Sequence, residues 1–82
     1  MNFYVYVIAT KRKNKIITYV GYTNDLKKRL KLHNAGKGAK FTRGKKWKMI
    51  YTEKHLSKSK AMSREYYIKK NRKFRSEIKK NK

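Results

Sequence analysis

The stretch TYVGYTNDLKKRLKLHN, residues 18–34, contains a change of hydrophobic period that decides the fold. Its first part, up to Gly21, is β-branched and aromatic and predicts a strand, whereas the leucines after Asp25 recur at helical spacing. Thr23, Asn24 and Asp25 are capping residues, so we expect a helix over residues 25–35. Glycines at positions 36 and 38 end it. The stretch is therefore predicted to be a strand followed directly by a helix.

Two further stretches are rich in β-branched and aromatic residues. Residues 3–8, FYVYVI, are apolar on both alternating faces, which predicts a strand buried on both sides, and residues 47–55 predict a third strand. The polar residues 11–15 join the first strand to residues 16–22 as an antiparallel hairpin. With the turn centred on Arg12 and Lys13, Tyr6 lies opposite Tyr19, close enough for their rings to interact.

The remaining segments predict helices and one basic loop. Residues 56–71 predict a second helix, capped by Ser57 or Ser59, and residues 36–46 form a basic loop with three glycines. We expect one domain over residues 1–82, in which residues from about 71 to 82 are a basic tail or a short helix. The predicted fold class is α+β, with helices flanking a three-stranded, largely antiparallel sheet.

Positive charge dominates the composition. Twenty-six lysines and arginines against four acidic residues give a formal net charge of +22 on 82 residues. A charge this high destabilises a compact monomer unless a polyanion is nearby, and a phosphate backbone is the partner that this composition favours. The basic residues are spread along the chain, and no apolar run approaches the roughly 20 residues of a membrane span, which argues against a membrane. We expect an intracellular protein, cytoplasmic or nuclear.

Three charged or polar side chains interrupt the apolar faces of the predicted helices. On a helical wheel, Arg29 and His33 lie inside the apolar arc of the first helix, and Glu65 lies inside that of the second. Taken singly, Arg29 is a snorkelling side chain and His33 a satisfied, half-buried histidine. Together they suggest a pocket for an anion. A buried carboxylate needs a cation or strong donors, so Glu65 either pairs with Arg29 or a lysine, or holds a divalent metal ion.

The other acidic residues and the tyrosines divide into two groups. Asp25 suits the first turn of a helix, and Glu53 and Glu77 are interpreted as solvated. Tyr6 and Tyr19 differ from the remaining tyrosines, because the hairpin register directs them toward Arg29 and His33. A phenol near several cations has its anionic form favoured and can act as a base.

These residues together resemble a known nuclease domain. YVY at residues 4–6, YVG at residues 19–21, RLKLHN at residues 29–34 and a glutamate on a later helix are similar to the GIY-YIG nuclease domain. HNAGKGAKFTRG at residues 33–44 and SREYYIKK at residues 63–70 resemble its small single-domain branch, which is related to the catalytic subunit of the eukaryotic structure-selective resolvase. The likeness covers residues 3–70.

The chain also departs from the family pattern. Tyr4 replaces the usual first glycine, and valines replace both isoleucines. The 12 residues between the two tripeptides are a slightly long spacing, which predicts an extended hairpin turn. The late asparagine of many members has no counterpart here, because Asn71 follows Glu65 too closely.

The resemblance implies a divalent-metal-dependent DNA endonuclease that hydrolyses phosphodiester bonds with one Mg²⁺ or Mn²⁺. Tyr6 or Tyr19 would activate water, and Arg29 would stabilise the charge developing on the scissile phosphate. His33 would orient a tyrosine or the phosphate. Glu65 would hold the metal ion, which polarises the phosphoryl oxygen and the leaving group.

The basic loop is predicted to hold DNA without reading its bases. Its cations are expected to contact backbone phosphates: Lys37, Lys40, Arg43, Lys45 and Lys46. Whether the DNA is branched, flapped or ordinary duplex stays open, and a domain this small is expected to obtain specificity from a protein partner. Two alternatives also stay open: a non-catalytic nucleic-acid-binding protein on the same scaffold, and a ribosome-associated RNA-binding protein.

Overall fold

The computed structural model describes residues 2–80 and contains three strands and three helices. In chain order these are β1 (Phe3–Arg12), β2 (Lys15–Thr23), α1 (Leu26–Asn34), β3 (Lys48–His55), α2 (Lys58–Lys70) and α3 (Arg72–Lys80). The strands form one antiparallel sheet in the order β2-β1-β3. The predicted α+β fold is confirmed. No helix of residues 2–80 has the length and apolar character needed to cross a bilayer.

The hairpin register differs from the predicted one. Arg12 pairs with Lys15, so the turn consists of Lys13, which has φ +58, and Asn14. A positive φ in a two-residue turn matches the twist of the flanking strands, and the lysine-rich sequence did not reveal which residue takes it. Tyr6 consequently lies opposite Gly21 and not Tyr19. The partner of Tyr6 on β2 therefore shifts by two residues, and because side chains alternate with a period of two, Tyr6 and Tyr19 still lie on the same face of the sheet.

The central strand β1 is buried on both faces, as predicted. Val5 and Val7 point to one face, where they pack with α2 and α3 through a cluster that includes Ile68. Tyr6 and Ile8 point to the other face, where they pack with Trp47 and with Leu26 and Leu30 of α1. Alternation of side chains along a strand therefore places α1 on one side of the sheet and α2 and α3 on the other.

Capping side chains set where the helices begin. Asp25 accepts a hydrogen bond from the backbone N–H of Lys28, at 3.1 Å, and α1 begins at the next residue. Ser57, the first of the two predicted caps, does the same for α2. Asn71 accepts from the N–H of Phe74 at 3.0 Å and starts α3, so the predicted C-terminal segment is helical up to residue 80. Residues 81 and 82 of that segment lie outside the described residues.

Candidate active site

A chain of three hydrogen-bonded side chains lies on the α1 face of the sheet. The Tyr6 hydroxyl is 2.8 Å from Nε2 of His33, and Nδ1 of His33 is 2.8 Å from Oγ1 of Thr42. Thr42 donates its hydroxyl hydrogen to the Ala39 carbonyl at 3.0 Å, so its oxygen accepts the Nδ1–H of His33. Nε2 of the neutral ring is then an acceptor, and Tyr6 donates to it. Each hydrogen bond of this network is therefore donated in the same direction, from Tyr6 to His33, from His33 to Thr42 and from Thr42 to the Ala39 carbonyl.

Burial controls the protonation of this chain. Tyr6 is 2 % exposed and His33 is 1 % exposed. Burial raises the pKa of Tyr6 well above its ordinary value, Tyr19 and Glu65 raise it further, and only Arg29 opposes them. Burial also lowers the pKa of His33, and the positive charge of Arg29 lowers it further. Tyr6 is therefore protonated and His33 neutral at neutral pH.

These shifts correct two sequence-based expectations. For Tyr6, nearby cations were expected to favour the anionic form, but desolvation outweighs the attraction of Arg29. His33 was expected to join Arg29 as a second inward-facing cation, and it is neutral instead. Of the two roles considered for His33, the structure shows contact with a tyrosine. Thr42 was missed, because nothing in the spacing of the basic loop indicates which of its residues reaches α1.

Two glycines make room for the two rings. A side-chain methyl at Gly21 would collide with the Tyr6 hydroxyl and lie 2.7 Å from Cζ of that ring. At Gly38 it would collide with Nδ1 of His33 and lie 2.7 Å from Cγ. The backbones of β2 and of the basic loop therefore lie directly against Tyr6 and His33. This close approach explains the glycine of the YVG tripeptide.

Tyr19 and Arg29 complete this side of the site. The Tyr19 ring meets His33 edge-on, with centroids 5.2 Å apart. Arg29 is half-buried and acts electrostatically on both Tyr6 and His33. Among residues 2–80, Arg29 forms no ion pair, so the alternative of an internal salt bridge to Glu65 is not observed. A half-buried guanidinium without a carboxylate partner is suited to receive an anion.

Glu65 lies on α2, close enough to the site to raise the pKa of Tyr6. Its side chain is 20 % exposed, and one oxygen pairs with Nζ of Lys69 at 3.3 Å, four residues further along the helix. Of the two structural alternatives, the lysine pair is therefore the one observed. Residues 2–80 contain no group of three or more His, Cys, Asp or Glu side chains that could together hold a metal ion. A single carboxylate does fit Mg²⁺, which keeps several waters and also binds substrate phosphates.

Comparison with known proteins decides the family. The chain matches the family described as GIY-YIG catalytic domain over residues 2–81. It belongs to the GIY-YIG family. It is 50 % identical over 68 residues to the UPF0213 protein CPE1444 of Clostridium perfringens, covering 82 % of this chain and 70 % of that one. It is 46 % identical over 70 residues to the UPF0213 protein YazA of Bacillus subtilis, covering 84 % and 68 %.

A solved structure supports the same assignment. The solution NMR structure of the UPF0213 protein BH0048 from Bacillus halodurans is 40 % identical to this chain, with a TM-score of 0.50. The match covers 94 % of this chain and 80 % of that one. This GIY-YIG chain is therefore similar, over nearly its whole length, to small proteins of the UPF0213 group.

Glu53 of this GIY-YIG chain is not solvated, which corrects the sequence-based interpretation. Arg64 binds its carboxylate through Nε at 2.6 Å and Nη2 at 3.0 Å, while the Tyr51 hydroxyl and Nε2 of His55 contact it at 2.5 and 2.8 Å. Hydrogen bonding by Arg64 is the main reason why the pKa of Glu53 falls to about 2. Since Glu53 lies opposite Val5, on the α2 face of the sheet, this cluster fastens α2 to β3 and lies apart from Tyr6.

The predicted phosphate-binding loop carries its cations at the surface. Four of the five are exposed, and Lys45 is half-buried: Lys37, Lys40, Arg43, Lys45 and Lys46. A groove of about 560 Å³ is lined by Arg43, Lys45 and Lys46, together with Lys11 and Arg12 at the end of β1. The sequence had not indicated Lys11 or Arg12 as phosphate contacts. At the centre of the loop, Thr42 is fully buried and anchors the loop to His33.

Proposed function

We propose that this GIY-YIG chain is an endonuclease that hydrolyses DNA phosphodiester bonds with one bound Mg²⁺ or Mn²⁺. Membership of the family identifies a nuclease superfamily. The observation that carries the proposal is the buried hydrogen-bonded network from Tyr6 through His33 to Thr42, beside Arg29, which forms no ion pair within residues 2–80. Binding a nucleic acid passively requires neither a buried phenol–imidazole pair nor an unpaired guanidinium on the same face.

The hydrogen-bonded chain supports a general-base role for Tyr6. Because its pKa is raised, Tyr6 cannot wait as a phenolate. As its oxygen removes a proton from the attacking water, its own proton passes to Nε2 of His33, which is neutral and positioned to accept it. Thr42 keeps His33 in the required tautomer by accepting the Nδ1–H. The phenol oxygen is never left fully charged in its buried position.

Arg29 and Glu65 serve the phosphate side of the reaction. Arg29 stabilises the negative charge that develops on the phosphate oxygens during attack, an interaction worth most in the transition state. Glu65 would hold the divalent ion, exchanging its surface pair with Lys69 for the metal. When bound, that ion supplies polarisation of the phosphoryl oxygen and of the leaving group. The cations of the basic loop hold the flanking backbone.

Cleavage assays on plasmid and on branched oligonucleotides, with and without Mg²⁺ or Mn²⁺, test the proposal. We expect nicking that a chelator abolishes. Glu65→Gln should abolish cleavage while DNA binding stays intact or tightens, because the substitution removes a negative charge near the phosphate. Glu77→Gln, an exposed glutamate on α3, is the matched control and should cleave like the parent chain.

Two outcomes would contradict the proposal. Full cleavage by Glu65→Gln would remove Glu65 from the metal site. DNA binding without cleavage at any metal concentration would identify instead a non-catalytic DNA-binding protein on this scaffold.

A further inference from the structure

We propose that Phe41 is a stacking platform for an unpaired DNA base beside the phosphate that this site attacks. The placement beside that phosphate rests on the proposed function, whereas the stacking does not. The inference names a substrate class: DNA in which at least one nucleotide near the cleavage point is single-stranded.

The exposure of Phe41 is unusual for its position. Phe41 is 52 % exposed, whereas Tyr6 and Trp47 on the same face of the sheet are 2 % and 5 % exposed. Exposing an aromatic ring to water forgoes the free energy that burial of its apolar surface would give. Phe41 lies in a loop whose other exposed side chains are mostly cations. An exposed aromatic ring among exposed cations combines the two features that sites for single-stranded nucleic acid use, a stacking face and positive charge for the backbone.

The ring is held in place before any ligand arrives. It stacks on Tyr19, with centroids 6.0 Å apart and planes 21° apart, and meets Trp47 at 6.2 Å. The next residue, Thr42, is fully buried and receives a hydrogen bond from the Trp47 indole N–H at its carbonyl, at 2.9 Å. Little conformational freedom is therefore left for a stacking base to remove.

The positive charges around Phe41 suit a nucleotide, because its phosphates are negative. Lys40 and Arg43 flank Phe41 closely in the chain and are exposed, so they can contact the phosphates on either side of a stacked base. Nζ of Lys45 lies 5.5 Å from the ring centroid and donates to the Phe41 carbonyl at 3.3 Å. That hydrogen bond is exposed, so the ammonium group can turn to a phosphate when a base occupies the ring.

The platform is joined to the candidate site by direct ring contacts. Tyr19 touches Phe41 on one side and His33 on the other, and His33 is hydrogen-bonded to Tyr6. These contacts are why we place a base stacked on Phe41 in a nucleotide close to the phosphate that the proposed reaction attacks. In a duplex both faces of each base are already stacked on their neighbours, so only an unpaired or displaced base can use the ring.

A binding measurement without divalent metal tests the stacking directly. Single-stranded DNA carrying 2-aminopurine, an adenine analogue whose fluorescence falls when it stacks, is titrated with the chain in the presence of a chelator. We expect quenching by the parent chain. Phe41→Leu should lose the quenching and bind the single strand about tenfold more weakly, while its affinity for duplex DNA changes little.

Three further variants make the result specific. Phe41→Tyr and Phe41→Trp keep an aromatic ring and should retain the quenching. Tyr66→Leu removes an aromatic residue on α2 that is 60 % exposed and has Nζ of Lys70 4.9 Å from its ring centroid. This matched control should leave the quenching unchanged. Thermal melting confirms that each variant is folded.

Several results would overturn the inference. Unchanged quenching by Phe41→Leu, loss of quenching by folded Phe41→Trp, or an equal loss of duplex and single-strand affinity would each do so. Because the assay contains no metal and needs no cleavage, it is independent of the proposed nuclease activity. A chain that quenches but never cleaves contradicts only the proposed function, and one that cleaves but shows no Phe41-dependent quenching contradicts only the platform.

Discussion

At the scale of single residues, Gly21 is needed for space and not for its backbone conformation. Only Gly36 and Gly44 have positive φ among the described glycines, whereas a methyl at Gly21 would collide with the Tyr6 ring. We expect Gly21→Ala to displace Tyr6 from His33 and to lower the cleavage rate at least tenfold. The His33 ring resonances in NMR spectra should move at the same time.

Gly44→Ala is the control for this prediction. Gly44 has φ +74 and open space around it, so alanine there strains the backbone without touching Tyr6. Its melting temperature should fall, by an amount equivalent to about 1 kcal/mol, while the His33 resonances stay in place. Unmoved His33 resonances in Gly21→Ala would show that the ring accommodates the methyl, contrary to our expectation.

Arg29 gives a second prediction at this scale. A buried ion pair with Glu65 would make Arg29→Ala cost about 3–5 kcal/mol of stability, because a buried carboxylate would be stranded. Arg29 has no such partner among residues 2–80, and it belongs to a chain of net charge +22. We therefore expect Arg29→Ala to change the free energy of unfolding little and to lower turnover about a hundredfold.

Melting curves and cleavage rates of Arg29→Ala, recorded side by side, check this. Lys27→Ala, which removes an exposed cation from the same helix, is the control and should leave turnover nearly unchanged. A large loss of melting temperature combined with full activity of the folded fraction would show that Arg29 is structural.

At the scale of elements, the cluster around Glu53 determines how α2 lies on the sheet. Arg64 binds Glu53 on β3 and lies over the Tyr67 ring, with its guanidinium carbon 5.1 Å from the centroid. Because Arg64 directly precedes Glu65, fastening it also limits the rotation of α2 about its axis. The orientation of Glu65, the proposed metal ligand, therefore depends on the ion pair between the preceding residue, Arg64, and Glu53.

The cluster predicts a pH dependence of stability. The pKa of Glu53 is about 2 in the folded chain, below its ordinary value of 4.5, so the carboxylate stabilises the fold above pH 4.5. That contribution, on the order of 3 kcal/mol, is lost as the pH falls from 4.5 toward 2. Denaturant unfolding of the parent chain and of Glu53→Gln should differ near neutral pH and converge in acid. Glu77→Gln should track the parent throughout; a constant gap for Glu53→Gln would contradict the prediction.

At the scale of the whole molecule, the charge of +22 predicts that the proposed binding to DNA weakens as salt concentration rises. We expect the double substitution Lys40→Ala with Arg43→Ala to weaken binding about equally for unrelated sequences. Each lost phosphate contact should flatten the logarithmic salt dependence by about 0.7–0.9. Anisotropy titrations at several salt concentrations measure both quantities.

The control removes equal charge elsewhere. Lys73 and Lys80 are exposed on α3, which lies on the opposite face of the sheet, and replacing both with alanine should affect binding less. Loss of affinity for one sequence only would show that the loop reads bases.

A protein partner that supplies specificity, and a single domain over residues 1–82, stay predictions.

Local sequence determined the elements and the faces of this molecule. The change of period after Gly21 predicted β2 and α1, and the caps Asp25 and Ser57 began their helices as expected. Period-2 alternation placed Tyr6 and Tyr19 on one face even though the predicted register was wrong. These features depend on neighbours within a few residues, so a pattern in the chain is enough to reveal them.

Contacts between distant residues were decided only by the tertiary structure. Tyr6 and His33 are 27 residues apart, His33 and Thr42 are nine apart, and no local pattern pairs their atoms. The same holds for Glu53, whose arginine partner lies 11 residues further along the chain. The direction of the pKa shift of Tyr6 was misjudged for a related reason. Nearby charges can be read from a helical wheel, but desolvation depends on how completely the packed elements exclude water, and here it is the larger effect.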